Sequence, residues 1–163
     1  MVALRSRDLG DADEAASAAR DLATRVGDPH LAGVAERIVG LVAQSRGDSA
    51  AARAALERSV AMAADDPDVT ASIAATTALA LTIAGDGEVD EAMALGVHAV
   101  EACRRIGDRH LEAAVENHLA DLLHEAGRDD LAMEHLKKAV TLFADIGEGA
   151  GDPDPGIWTL AAW

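Results

Sequence analysis

Four stretches of this chain superimpose on one another: GDADEAASAARDLATRVGD from Gly10, GDSAAARAALERSVAMAADD from Gly47, GEVDEAMALGVHAVEACRRIGD from Gly87 and GRDDLAMEHLKKAVTLFADIGE from Gly127. The leading glycines are 37, 40 and 40 residues apart. A period of this length marks a supersecondary unit that cannot bury its apolar face alone and must stack on its neighbours. Five positions after each glycine stands an alanine: Ala15, Ala52, Ala92 and Ala132. Four further on come Ala19, Leu56, Gly96 and Leu136, and four beyond those Ala23, Val60, Val100 and Val140. Steps of four keep these positions on one helical face.

The stretch before each of the last three glycines reads as a second helix. Arg37–Gln44 precedes Gly47, Thr77–Ile83 precedes Gly87, and Asn117–His124 precedes Gly127. Gly40, Ala80 and Ala120 recur seven residues before the glycine. A small residue there, with another five after the turn, lets two antiparallel helices cross closely. The glycine between them suits a left-handed helix terminus. Asp28-Pro29 and Asp66-Pro67 read as N-cap acceptors followed by a proline at the first helical position, and Asp108-Arg109 plays the same part without proline. Half the residues are apolar but only 2% are aromatic, and alanine supplies much of the difference. That balance favours closely packed helices over a sheet sandwich.

This pattern resembles the tetratricopeptide repeat, over residues 1 to 147. The matching positions are Gly40, Ala80 and Ala120, the turn glycines Gly47, Gly87 and Gly127, and Ala52, Ala92 and Ala132. The units are longer than the family's usual ~34 residues, and its large aromatics are replaced by Val, Leu or Ile. The resemblance implies an all-α fold, a right-handed α-solenoid of about 3.5 antiparallel hairpins. The expected organisation is a half unit (2–26), units 28–64, 66–106 and 108–147, and a tail (148–163) that forms a capping helix or an anchor built on Trp158 and Trp163. The linker Gly107-Asp108-Arg109, the turn Gly127-Arg128 leading to Ala132, and the closing Pro155–Trp163 stretch resemble the tetratricopeptide regions of bacterial, especially actinobacterial, transcriptional regulators. A stack that starts on a half unit is expected to be cut from a larger protein; the alternative is that a second subunit covers the first helix, as in a homodimer.

The resemblance further implies that the first helix of each hairpin lines a concave groove. The corresponding positions are Arg37, Leu41 and Gln44, then Thr77, Leu81 and Ala84, then Asn117, Asp121 and His124, with Leu4 and Arg7 joining from the half unit. Arg37, Thr77 and Asn117 each stand ten residues before their glycine, so they are expected to form a row suited to an extended or helical peptide. Asp121 and Glu125 oppose capture of a partner's terminal carboxylate on this face.

Charge and chemistry narrow the function classes. With 29 acidic against 14 basic residues the net charge is −15, a field that repels nucleic-acid backbones and anionic membranes. Cys103 is the single cysteine and reads as a small buried helix position. No window has the ~18 uninterrupted apolar residues of a membrane span, and the start, MVALRSRDLG, lacks the apolar core of a signal peptide. A cytoplasmic setting is the expectation. The six histidines show no metal-protease spacing, and neither a serine-nucleophile motif nor a phosphate-binding loop occurs. Asp65-Asp66 and Asp129-Asp130 fall at helix starts, where capping and the helix dipole account for them. The chain is therefore expected to bind a protein or peptide, to need no cofactor or metal, and not to be an enzyme.

Overall fold

A computed structural model describes the backbone of residues 2–149 and the side chains of residues 10–147. Seven helices follow in order among the described residues: α1 (Val2–Val26), α2 (Pro29–Ser45), α3 (Ser49–Ala63), α4 (Val69–Gly85), α5 (Val89–Ile106), α6 (Arg109–Glu125) and α7 (Asp129–Gly149). With no strand among them, the fold is an all-α helical-repeat solenoid.

Local signals start four of the helices and stop four of them. Asp28, Asp48, Asp68 and Asp108 are N-caps whose carboxylates accept the N–H groups of Leu31 (3.2 Å), Ala51 (3.0 Å), Thr70 (3.0 Å) and Leu111 (2.9 Å). At the other end Gly47 turns left-handed at φ 79°. Its N–H donates to the Gln44 carbonyl (2.9 Å) and the Asp48 N–H reaches back to the Ala43 carbonyl (3.0 Å), so the terminal carbonyls of α2 are satisfied. The same pair of bonds closes α4 at Gly87, α5 at Gly107 and α6 at Gly127.

Two expectations about local structure change. Asp66 does not cap α4; Asp68 does, so every first helix has its cap 19 residues before its turn glycine (Asp28, Asp68, Asp108). Pro67 falls in the linker, and Asp66 instead accepts the Asp68 N–H (2.8 Å) and meets His30 Nδ1 (2.7 Å). Gly10 is not a turn either: α1 runs through it as one helix of 25 residues. Asp11 follows Gly10 as the cap Asp48 follows Gly47, so the local spelling is the same and the chain nevertheless stays helical there. The buried face of α1 accordingly passes through Ala16 and Ala23, while Ala15 is exposed.

Packing follows the repeat. α2 pairs with α3, α4 with α5 and α6 with α7, while α1, α3 and α5 also pack against the helix that follows them. The first helices touch in series, α2 to α4 to α6, whereas α1, α3, α5 and α7 make no such approach to one another among the described residues. The stack is therefore narrow on the side of the first helices and splayed on the other. Inside the hairpins the small positions do what their spacing implied. Ala52, Ala92, Ala120 and Ala132 are 0% exposed and Ala80 is 2% exposed. A Cβ on Gly40 would lie 2.6 Å from Leu56 Cγ and 3.2 Å from the Ala52 carbonyl oxygen. Between hairpins, a Cβ on Gly96 of α5 would collide with the Leu119 side chain of α6. Leu56, Ile73, Ile83 and Leu123 are fully buried, each stabilising by about 1.5–3 kcal/mol relative to exposure.

Gly40→Ala should therefore destabilise the fold by about 1–3 kcal/mol through overpacking. Gly10→Ala, where the new methyl meets nothing within 4 Å, should stabilise by about 0.5–1 kcal/mol. Urea denaturation of the two variants checks the opposite signs.

Candidate concave binding cleft

The inner faces of α2, α4 and α6 enclose an open cleft of about 360 Å³. Arg37 and Leu41 of α2 line one side, Ala74, Thr77, Ala78 and Leu81 of α4 the floor, and Leu111, Ala114, Val115 and His118 of α6 the far side. The walls are apolar, with a guanidinium at one edge and an imidazole at the other. Beyond Leu81 a recess of about 150 Å³ continues to the turn end, where Gln44, Ser49 and Asp86 line it.

Four residues expected in the groove, Arg37, Leu41, Thr77 and Leu81, do meet in the cleft, and Gln44 lines the recess beside it. On α6 the register differs. Asn117 is 7% exposed and lies inside the hairpin, so Arg37, Thr77 and Asn117 do not form a continuous accessible row. His118, one residue on, lines the cleft in its place. His124 is drawn to the turn, its Nδ1 2.8 Å from Asp129 Oδ1, and neither it nor Asp121 lines the cleft. The side chains of Leu4 and Arg7, and both Trp158 and Trp163, lie outside the described residues.

Arg37 has no ion pair among the described residues, although most of the arginines nearby are engaged. Arg53 spans from α3 to Glu88 (2.6 Å) and Glu91 (3.4 Å), Arg128 meets Asp90 (2.7 Å), and Arg46 meets Asp13 (2.7 Å). With the Ser49 to Asp86 hydrogen bond, these contacts tie successive hairpins together along the turn edge. At the opposite end His30 meets Asp66 and Arg109 meets Asp145 (2.5 Å).

The sequence reading overlooked a polar row inside the hairpins. Glu36, Thr76 and Glu116 share one repeat position, eleven before the turn glycine, and all three are buried. Glu36 accepts two bonds from Arg58 (2.8 and 3.1 Å). Glu116, 1% exposed, accepts from Arg104 (3.2 Å) through one oxygen and has His135 Nδ1 at 2.6 Å from the other. The only available signal was charge at a fixed offset on the helix face opposite the groove, which periodicity alone reads as solvated surface.

Desolvation shifts the acidities of Cys103 and His118. Burial pushes the Cys103 thiol up to about 11, with Asp108 and Glu112 adding to it, so at neutral pH it stays protonated and poorly nucleophilic. His118 is open to solvent yet surrounded by protein on the concave side, and that desolvation lowers its pKa against the opposing pull of Asp121. Among the described residues no three of His, Cys, Asp and Glu converge to hold a metal ion, and no helix is long and apolar enough to cross a membrane.

The folded chain should resist thiol reagents at Cys103 at neutral pH and react once unfolded, which a colorimetric thiol assay with and without denaturant checks. The two shifted histidines should act on stability with opposite signs. The unfolded chain protonates at the His118 position near 6.5 while the folded chain resists, so stability falls below that pH and His118→Gln should lessen the loss. The His30 pKa is raised, chiefly by its hydrogen bond to Asp66, so its contribution is full below 6.5 and is lost as pH rises through the folded value. His30→Gln should therefore cost stability in acid and little in alkali, as denaturation midpoints across pH will show.

No curated protein matches the chain. Residues 72–145, from within α4 to within α7, match the family model of the tetratricopeptide repeat, whose members are generally protein–protein interaction modules.

Proposed function

We propose that this chain binds a protein or peptide in the concave cleft and does no chemistry of its own. The observation that carries the reading is the cleft itself: an apolar trough between three helices with Arg37, unpaired among the described residues, at its edge. Leu41, Leu81, Leu111 and Val115 offer a seat for one or two aliphatic or aromatic side chains. The guanidinium favours an acidic group beside them, in a chain whose net charge otherwise repels acidic partners. The favoured ligand is a short helical or extended segment that carries an apolar anchor next to an aspartate or glutamate.

A peptide library selected on the immobilised chain should enrich that pattern. Arg37→Ala should weaken the selected peptides about 10-fold or more, as expected for a lost charge-assisted bond, and Leu81→Asp should abolish capture while helicity persists. Enrichment of the same peptides by both variants would overturn the assignment.

On the resemblance of its linkers and turns, we place the module in the cytoplasm, as the regulatory part of a larger bacterial transcriptional regulator. Ligand binding would there bias an attached ATPase or DNA-binding domain. A full-length gene with an upstream nucleotide-binding or helix-turn-helix segment supports this placement, and a gene without one removes it. A second reading, self-association, rests on α1, where Leu22 is 54% and Val26 60% exposed. Sedimentation of Leu22→Asp against the parent chain separates the two: only a self-associating chain changes mass.

A further inference from the structure

His118 stands apart on the cleft wall. His30, His124 and His135 each set Nδ1 against a carboxylate: Asp66 (2.7 Å), Asp129 (2.8 Å) and Glu116 (2.6 Å). His118 makes no such bond among the described residues, although it faces the same cleft as Arg37, whose guanidinium is likewise unpaired there. Its repeat equivalents are Ile38 of α2 and Ala78 of α4. The fold thus accepts an apolar side chain at this position, and packing does not call for an imidazole.

The surroundings of the ring hold it neutral in the free chain. Among the described residues that line the cleft and the narrow gap behind the ring, α4 and α5 present Thr77, Ala80, Leu81 and Gly96 but no titratable group. The charged groups around it are Arg37 of α2, on the facing wall, and Asp121 of its own helix. Desolvation outweighs the pull of Asp121 and keeps the imidazole below its usual pKa. A carboxylate that enters the trough changes this balance. It accepts from the Arg37 guanidinium, and its charge favours the protonated form of the imidazole on the other wall.

We propose that acid recognition in this cleft is proton-linked: a carboxylate-bearing segment of a partner protein seats between Arg37 and His118, and the imidazole takes up a proton from solvent as the segment binds. The inference rests on the concave-cleft reading and adds the residue that couples it to pH. Below the pKa of the free ring the proton is already bound, and above the pKa of the ring in the complex none is taken up. Between the two, affinity falls as pH rises. The carboxylate of the partner titrates at about 4, below this window.

Peptide libraries selected on the parent chain at about pH 6 and about pH 8 bracket the ordinary imidazole pKa of 6.5. The pool from the lower pH should be richer in aspartate and glutamate, and its leading peptide should bind about 3- to 10-fold tighter there. The His118 ring signals, followed by NMR, should titrate at higher pH with that peptide bound than without it. His118→Gln, and His118→Ala with the side chain that α4 carries at this position, should flatten the pH dependence. Arg37→Ala should weaken binding at both pH values and keep the dependence. Far-UV circular dichroism at each pH checks that every variant is folded. An affinity that does not change with pH overturns the proposal, as does a pH dependence that survives both His118 variants. In either case loss of capture by Leu81→Asp still supports the cleft reading by itself. A parent chain that captures no peptide at either pH overturns both.

Discussion

Everything in this structure depends on how closely two helices can approach at the small residues of each hairpin. Where Gly40 faces Leu56 and the Ala52 carbonyl there is no room for even one additional methyl group. Ala80 with Ala92, and Ala120 with Ala132, repeat the arrangement at the equivalent positions. Close backbones bring many atoms into dispersion contact, and this offsets the small apolar payload of alanine. A chain with 2% aromatic residues has few large side chains with which to fill a wider gap, so narrow hairpins are the packing solution open to it.

The concave shape follows from that approach. First helices touch first helices while the second helices diverge, so the inner surface is continuous and the outer one is divided into ribs. The cleft is thus a product of the stacking angle, and its walls are whatever the first helices show on their inner face. The turn-edge ion pairs hold that angle from unit to unit, with Arg53 engaging three carboxylates, Glu57, Glu88 and Glu91. Individually such exposed pairs contribute about 0–1 kcal/mol. Their value lies in fixing the orientation of each hairpin on the next.

Buried charge plays a different part. Glu36 with Arg58, and Glu116 with Arg104 and His135, place carboxylates in the interior. Such groups add little net stability, but a buried carboxylate without its donor is costly, so each pair penalises hairpins that slip in register. In a chain rich in alanine, where one small apolar face resembles another, that penalty favours one register over its neighbours.

The repeat, the all-α class, the turn glycines and the small crossing positions were legible in the sequence, because each reflects a local rule: a period, a left-handed terminus, a missing Cβ. Asp28 and Asp108 were legible as caps for the same reason. Asp68 was not, because Asp66-Pro67 carries an equally good local signal and only the fixed distance to the turn glycine decides between them. Gly10 matched the repeat in spelling, with Asp11 where Asp48 caps α3, yet the chain stayed helical through it. Arg37, Leu41, Thr77 and Leu81 could be placed on the cleft through the resemblance and the repeat register, whereas the exchange of Asn117 for His118 and the buried Glu36, Thr76 and Glu116 row could not. A helical face is some 100° wide, and which side of that arc meets solvent depends on how α4 leans on α6. The sequence by itself therefore determined the hairpins, since their spacing is written in contacts between near neighbours. Only the tertiary structure decided what the inner surface presents, because that depends on the angle at which hairpins far apart in the chain come to rest.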